Sequence, residues 1–252
     1  MKNLLVANWQ PGERVTRGDL EQLLDAQLEN SLALGWSPDD LLVVTNFPYR
    51  RGRVRRIADD LNTHCMRGSK MFALARLFET GAIAGDDVVW AHDLDAWQNH
   101  RFETPAFADL GLAEYSRPKF NGGSVFARPA AADMVDAIVR RIVTGREPRE
   151  EPTINCVLRD PAYQSRVTVL NPTYNLGCSG FRERLGGSTK PVLVCHFHPT
   201  NRLAWDTHVN DRNGMGTVLA PRVVELLTRR FHGGIAPEKL PPKTVKAVGR
   251  AH

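Results

Sequence analysis

The chain has 252 residues, of which 42% are hydrophobic and 24% are charged, a composition typical of a soluble globular protein. Its four scattered cysteines exclude a disulfide scaffold and a paired zinc knuckle, and its apolar segments are too short for a membrane span or a secretory signal. We therefore expect a cytoplasmic protein without a membrane anchor, and the net charge of +5 favours an anionic partner.

The first part of the chain alternates predicted strands with predicted helices. Apolar runs predict strands at residues 3–7, 41–45 and 88–91, and helical periodicity predicts helices at about 19–34 and 69–80. One leucine stripe of the first helix is expected to face the core: Leu20, Leu23, Leu24, Leu28 and Leu32. Because helices separate the strands, the crossovers imply a largely parallel sheet, with the loops after Ala7, Thr45 and Ala91 along one edge.

The second part of the chain is less regular. It predicts strands at 119–127, 167–170 and 192–195, and helices at 130–144, 151–158 and 221–231. We interpret residues 1–232 as a single α/β domain whose mixed, mostly parallel sheet is flanked by helices. Residues 233–252 are rich in proline and lysine without periodicity, which predicts a basic, loosely ordered tail.

Two aspartates follow the strand at 88–91 and stand one residue apart, as Asp93-Leu94-Asp95. An isolated Asp-x-Asp triplet also arises by chance, so its position after a near-continuous apolar strand is what makes it informative. Such a strand brings both carboxylates to the ligand-binding edge of the sheet. Carboxylates this close repel unless a cation neutralises them, so the pair predicts a divalent-metal anchor.

His196-Phe197-His198 follows a predicted strand, and alternation points both imidazoles to one side. They suit a metal, or equally one buried, hydrogen-bonded histidine. With Asp93 and Asp95, a histidine would give an oxygen-rich site better suited to Mn²⁺ or Mg²⁺ than to structural zinc.

Three further motifs each allow two interpretations. Asn121-Gly122-Gly123 is either a hairpin turn or a place where the backbone closely approaches a ligand. Glu150-Glu151 either starts a helix or places a base or an acceptor clamp in a cleft. Lys70, at the mouth of a helix, either balances a phosphate or is simply solvated.

Five arginines crowd into one segment: Arg50, Arg51, Arg53, Arg55 and Arg56. They either form a solvated face or contact the phosphates of a nucleic acid.

Taken in order, the motifs resemble those of GT-A nucleotide-sugar glycosyltransferases, with the glycogenin-like and galactosyltransferase-like branches nearest in pattern. The resemblance spans roughly residues 3–205 as an ordered set of short motifs, which are Asp93-Leu94-Asp95, Phe120 to Val125, Glu151 to Asn155 and His196-Phe197. It implies a GT-A fold, with residues 1–100 as the nucleotide-binding half and 101–232 as the half for donor sugar and acceptor. It also implies a UDP-sugar donor held through Mn²⁺ or Mg²⁺.

The resemblance assigns roles to particular residues. Asp95 would be the firmest metal ligand, with Asp93 toward ribose or metal and His196 as a further ligand; His198 is the alternative histidine. The family's donor pocket carries over to Asn121, Gly122 and Gly123, and Arg202 would be the cation for the diphosphate. Asn8, Trp9 and Lys70 are further predicted donor-binding residues. Glu151, with Glu150 as the alternative, would be the acidic residue near the acceptor. The match departs after His196, where Pro199 replaces the family's glycine and Trp205 lies one position late.

The arginine segment makes DNA the leading predicted acceptor, as in the phage enzymes that glycosylate hydroxymethylated pyrimidines, which would flip the base or act on an unpaired one. A protein or saccharide hydroxyl is the competing acceptor. Two other classes stay open: a non-catalytic nucleic-acid-binding protein and a metal-dependent phosphoesterase. No obligate protein partner is inferred.

Overall fold

Seven strands form the central sheet of the computed structural model, which describes residues 1–12, 15–51, 55–58, 61, 68–116, 119–145, 149–177, 181–197 and 218–231. These strands are β1 (Lys2–Ala7), β2 (Leu41–Thr45), β3 (Arg55–Ala58), β4 (Val89–His92), β6 (Leu110–Ser116), β7 (Lys119–Ala127) and β8 (Val167–Leu170). A second, three-stranded sheet contains β5 (Ala96–Gln98), β9 (Leu176–Gly177) and β10 (Val194–His196). The predicted tail, residues 233–252, lies outside the described residues.

The large sheet has the order β3-β2-β1-β4-β7-β6-β8. Strands β3, β2, β1 and β4 are mutually parallel, β8 is parallel to β6, and β7 runs antiparallel to both of its neighbours. The predicted mixed, mostly parallel sheet is therefore confirmed. Because β7 runs the other way, its early residues reach the edge at which β4 ends, and this brings Gly123 beside Asp93.

Helices cover both faces of this sheet. They are α1 (Arg17–Ala33), α2 (Ser69–Glu79), α3 (Ala132–Thr144), α4 (Glu150–Val157), α5 (Pro161–Gln164), α6 (Phe181–Gly187) and α7 (Pro221–Phe231). One core cluster joins the sheet to α2, α3 and α4, and a second joins its other face to α1 and α7. None of the described helices is long and apolar enough to cross a membrane.

Helix α1 carries buried polar groups as well as leucines. A capping box between Thr16 and Asp19 starts the helix, and Gly35 with a φ of +83° follows its end. Leu32, predicted to face the core, is 41% exposed, so that part of the stripe is wrong. Each step of four residues turns about 40° around a helix, so Leu32, in the last turn, has rotated out of the face that begins with Leu20. Polar groups share that buried face: Gln27 Nε2 donates to the carbonyls of Leu94 (2.9 Å) and Ala96 (3.0 Å).

Glu29 ties α1 to α7 through ion pairs with Arg229 and Arg230. Burial alone would raise the pKa of Glu29, but hydrogen bonds from the two arginines outweigh it and lower the pKa. We expect Glu29→Gln to reduce the free energy of unfolding by up to about 1 kcal/mol at neutral pH. Since the folded pKa is lowered, this difference is present above the unfolded carboxyl's pKa and disappears as pH falls through the folded value.

Urea unfolding of both proteins at neutral and acid pH measures this difference. Glu79→Gln is the matched control, because its i,i+3 pair with Arg76 is far more exposed. A stability difference that persists unchanged in acid would contradict the ion-pair explanation.

Candidate functional site

The turn between β4 and β5 holds both aspartates at the junction of the two sheets. The Ala96 N–H donates to the Asp93 carbonyl (2.9 Å), which closes the turn. The Asp93 N–H donates to the Gly123 carbonyl (3.0 Å) on β7, and the Phe197 N–H donates to the Asp95 carbonyl (3.1 Å) after β10. Backbone bonds from two sheets therefore fix the positions of both carboxylates.

His196, at the end of β10, joins this pair. Its Nε2 lies 3.4 Å from Asp93 Oδ2 and 3.5 Å from Asp95 Oδ1. One ligand atom from each of the three residues lies within 4.8 Å of the others, and no other such cluster occurs in the part of the chain that the structure describes. Two carboxylate oxygens and one imidazole nitrogen form a donor set that fits Mn²⁺ or Mg²⁺.

The pKa values of the two histidines near the turn are shifted in opposite directions. Burial opposes the charged form of His196, but hydrogen bonds to Asp93 and Asp95 outweigh it and raise its pKa to about 9. Burial lowers the pKa of His92 to about 4, and its ring stacks on Trp90 with 4.0 Å between the centroids. His196 is therefore held by the acidic pair, whereas His92 is a neutral, stacked core residue.

Asn121 orients the His196 ring. Its Oδ1 lies 3.2 Å from His196 Nδ1 and also accepts from the Gly123 N–H (2.7 Å) and from Asn175 Nδ2 (3.1 Å). With Nδ1 donating to this oxygen, Nε2 is directed at the two aspartates, as in metal sites whose histidines are fixed by an outer partner. The structure thus gives Asn121 a positioning contact that the resemblance did not assign.

The two glycines after Asn121 make room for side chains of the site. A Cβ on Gly123 would lie 2.0 Å from Cε1 and Nδ1 of His196, and one on Gly122 would lie 2.8 Å from Glu150 Oε1. Both glycines lie inside β7, so the hairpin-turn interpretation is wrong. The groups that come close to these glycines in the structure are the protein's own His196 and Glu150, whereas a close approach to a ligand stays a prediction.

We expect Asn121→Ala to weaken Mn²⁺ binding by about 10- to 100-fold, because the His196 ring loses the acceptor that fixes it. Isothermal titration with MnCl₂ measures the affinity. Asn171→Ala is the control, since it removes an amide with several hydrogen bonds away from the site. Unchanged Mn²⁺ affinity in Asn121→Ala would show that Asn121 does not position the ligand.

Lys70, at the start of α2, is 4% exposed and lies between two acids. Its Nζ is 2.6 Å from Asp93 Oδ1 and 3.0 Å from Glu150 Oε1, and it donates to the Gly122 carbonyl. Burial opposes its charge, but Asp93 and Glu150 outweigh burial and raise the pKa of Lys70. The solvated interpretation is wrong, because this ammonium is a buried, paired cation.

Glu150 and Glu151 differ in environment although they are adjacent at the start of α4. Burial raises the pKa of the Glu150 carboxyl, while the Lys70 ammonium acts in the opposite direction. Glu151 is half-buried. Both glutamates line the same cavity, so the helix start and the cleft position, predicted as alternatives, occur together.

A cavity of about 390 Å³ lies above this cluster, a size suited to a small organic ligand. Its polar lining consists of Asn8, Ser69, Lys70, His92, Asp93, Asn121, Arg149, Glu150, Glu151 and His196. Asn8 Nδ2 donates to Ser69 Oγ (2.8 Å) at the mouth. Trp9 is not among the described residues that line the cavity; Asn46 instead binds its backbone N–H (2.9 Å) and carbonyl (2.7 Å).

The chain is similar to known proteins in structure but not in sequence. No protein-family model and no curated protein sequence matches the chain. Among solved structures, the galactosyltransferase LgtC in complex with donor and acceptor sugar analogues matches with a TM-score of 0.59 and 15% identity, over 90% of this chain and 95% of that one. The GT-A fold is therefore shown.

Two further structures match at similar levels. A glycosyltransferase involved in the glycosylation of the major capsid of PBCV-1 has a TM-score of 0.50 and 12% identity, over 84% of this chain and 98% of that one. The glycosyltransferase GlyE of Streptococcus pneumoniae TIGR4 has a TM-score of 0.54 and 12% identity, over 81% of this chain and 56% of that one. The GT-A fold expected from the motif order is thus confirmed.

In this GT-A fold, part of the arginine segment serves the structure itself. Arg51 Nη1 lies 2.8 Å from Asp25 Oδ1 on α1. Arg56, on β3, donates to Thr45 Oγ1 (2.9 Å) and to the Phe47 carbonyl (2.7 Å). Arg51 therefore connects the segment between β2 and β3 to α1, and Arg56 connects β3 to the end of β2.

Of the other three arginines, only Arg50 has a side chain that the structure describes. Arg50 is exposed, and the backbone of Arg55 pairs with Leu42 at the start of β3. Arg53 lies outside the described residues, as do the predicted metal ligand His198 and the predicted donor-site cation Arg202.

Sequence reasoning missed several groups that hold the site. Gln27 on α1 anchors the Asp93–Asp95 turn, and Asn175 supports Asn121 from beneath. The buried Arg184 in turn donates to the Asn175 carbonyl. For Gln27 the available signal was a polar side chain at a position where the helical pattern requires burial, but the pattern does not say what it contacts.

Proposed function

We propose that this protein is a metal-dependent glycosyltransferase that moves a sugar from a nucleoside-diphosphate donor, a UDP-sugar first of all, to an acceptor hydroxyl. The observation that carries the proposal is the cluster of Asp93, Asp95 and His196 in a GT-A fold, of which Asp93 and His196 line the cleft. Two adjacent carboxylates at this position are suited to binding a cation beneath a diphosphate, whereas their mutual repulsion would not stabilise the fold.

Asp93, Asp95 and His196 would hold Mn²⁺ or Mg²⁺. The fit rests on the oxygen-rich donor set and on the orientation of the His196 ring, whose Nδ1 faces Asn121 Oδ1 while its Nε2 faces the two carboxylates. A divalent cation there supplies Lewis-acid stabilisation of the charge that develops on the departing diphosphate.

Lys70 adds a fixed positive charge at the same end of the cleft. Because Asp93 and Glu150 hold its ammonium in place, little reorganisation is needed as negative charge builds on the donor. Asn8 and Ser69 line the cavity next to it and contribute polar groups for the nucleotide. These residues belong to the proposed nucleotide-binding half, residues 1–100.

Glu151 is the proposed base for an inverting reaction. The acceptor oxygen bonds to the anomeric carbon as the bond to the diphosphate oxygen breaks, and its proton passes to Glu151. The electron pair leaves with the nucleoside diphosphate. Glu150 is less suited to this step because its carboxylate is already paired with Lys70. A retaining reaction would need no such base.

For the acceptor, a saccharide or protein hydroxyl is better supported than DNA. One structural neighbour is involved in the glycosylation of the major capsid of PBCV-1, and LgtC was crystallised with donor and acceptor sugar analogues. The DNA hypothesis relied on five arginines, of which Arg51 and Arg56 are engaged within the fold. A hydroxymethylated pyrimidine remains the competing acceptor.

The test is UDP release from a panel of UDP-sugars, in Mn²⁺ and again with a chelator. We expect slow hydrolysis of at least one donor, abolished by the chelator. Transfer is then compared for hydroxymethylcytosine-containing DNA and for oligosaccharides. No metal-dependent release from any donor, or phosphate release from a generic ester without a sugar donor, would contradict the proposal.

A further inference from the structure

A second groove, of about 510 Å³, runs beside α4 and away from the donor cavity. It is lined by Lys119, Glu151, Pro152, Asn155, Cys156 and Arg159. Glu151 and Pro152 line the donor cavity as well. The two spaces therefore meet at the glutamate proposed as the base.

The groove has a direction set by helical geometry. Glu151 and Asn155 are four residues apart on one side of α4, so Asn155 lies about 6 Å beyond Glu151 along the helix axis. Arg159 follows the end of α4 at Val157 and lines the same groove. An occupant with a hydroxyl at Glu151 would thus extend toward Arg159.

Asn155 makes the floor of this groove rigid. Its Oδ1 accepts from the Phe120 N–H (2.7 Å), and its Nδ2 donates to the Phe120 carbonyl (2.9 Å) and to the Glu151 carbonyl (2.8 Å). These bonds tie α4 to the beginning of β7, where Lys119 precedes Phe120. The amide is fully used by the fold, which leaves recognition to the charged residues around it.

The charges in the groove are unevenly distributed. Glu151 lies at the end that joins the donor cavity, whereas Lys119 and Arg159 line only the groove. The part farther from the donor therefore carries both cationic side chains of the groove. A phosphate or carboxylate there would form charge-assisted hydrogen bonds with both side chains, which a neutral sugar cannot do.

We propose that this groove binds the acceptor and selects a saccharide that carries a negative charge, with its reacting hydroxyl at Glu151 and its phosphate or carboxylate at Lys119 and Arg159. The assignment of the reacting end rests on the proposed function. The assignment of the anionic end rests on the groove alone.

The first experiment measures binding without donor turnover, using the exposed thiol of Cys156 in the groove. Alkylation of Cys156 by iodoacetamide is followed by peptide mass spectrometry, with glucuronic acid, glucose 6-phosphate or neutral glucose as the probe. We expect at least one anionic sugar, and not glucose, to slow alkylation. In Arg159→Ala and in Lys119→Ala, the affinity of the anionic sugar that protects Cys156 should fall about tenfold, as expected for the loss of a charged hydrogen bond.

Arg141→Ala is the matched control, since Arg141 is exposed on α3 and lines neither the groove nor the donor cavity. In this variant the anionic sugar should protect Cys156 from alkylation as it does in the wild type. Equal protection by glucose, protection by none of the three probes, or full protection in both groove variants would overturn the proposal. So would protection by a hydroxymethylcytosine-containing oligonucleotide alone, which would favour a nucleic-acid acceptor.

A second experiment measures transfer to those sugars from the preferred UDP-sugar. Arg159→Ala should raise KM for the anionic acceptor about tenfold, with a much smaller effect on kcat. The two proposals fail separately. Cys156 protection without UDP release would refute the glycosyltransferase and retain the groove, whereas UDP release without protection would refute the groove alone.

Discussion

Asp95→Asn is expected to lower Mn²⁺-dependent hydrolysis of a UDP-sugar by about 100- to 1,000-fold, the loss typical of removing one fixed electrostatic contact from an active site. Asp95 is 1% exposed, and the backbone bond from Phe197 fixes the turn that carries it. The amide keeps the shape of the side chain but removes the charge that faces His196. Steady-state UDP release and Mn²⁺ titration together measure the effect.

The control for this variant is Asp86→Asn, because Asp86 is an exposed loop residue outside the cavity. It should retain wild-type turnover and Mn²⁺ affinity. Wild-type activity in Asp95→Asn, with the protein folded, would mean that the acidic pair does not hold the metal.

Gly123→Ala is expected to lower both Mn²⁺ affinity and turnover by about 10- to 100-fold, although it adds one methyl group and removes no ligand. The new Cβ would overlap the His196 ring at 2.0 Å, so the ring has to leave Asn121 and turn its Nε2 away from the aspartates. Overpacking of this kind also costs about 1–3 kcal/mol of stability. Titration calorimetry and thermal unfolding separate the two effects.

Gly186→Ala provides the matched control. Gly186 also lies in a regular element, but a Cβ there would meet nothing within 4 Å. It should bind Mn²⁺ and unfold nearly as the wild type does. If Gly123→Ala behaves in the same way, His196 does not occupy the position on which the site depends.

The elements that the sequence predicted are those with a strong local pattern. The strands β1, β2 and β4, predicted from apolar runs, and the helices α2, α3 and α7, predicted from helical periodicity, form within a few residues of the predicted bounds. Strand β3 was not predicted, because Arg55 and Arg56 lack an apolar pattern and pair with β2 through backbone register. The short strands β5 and β9 likewise exist because β10 lies between them.

The sequence could predict the proposed metal ligands of the site, but not the contacts that hold these side chains in place. Asp93, Asp95 and His196 stand next to predicted strand ends, where chain topology brings strand ends together. Local patterns do not report that Gly123 accommodates a ring from β10, or that Lys70 pairs with Glu150. Both contacts join segments that are far apart in sequence, and only the fold brings them together.

The measurement that tests the central claim most directly is anomalous diffraction at the manganese edge, from crystals soaked with MnCl₂ and UDP. We predict a single strong peak within ligand distance of Asp93, Asp95 and His196, with the diphosphate of UDP beside it in the cleft. A manganese peak elsewhere, or UDP bound in the cleft with His196 still directly paired to the two carboxylates and no metal between them, would contradict the account.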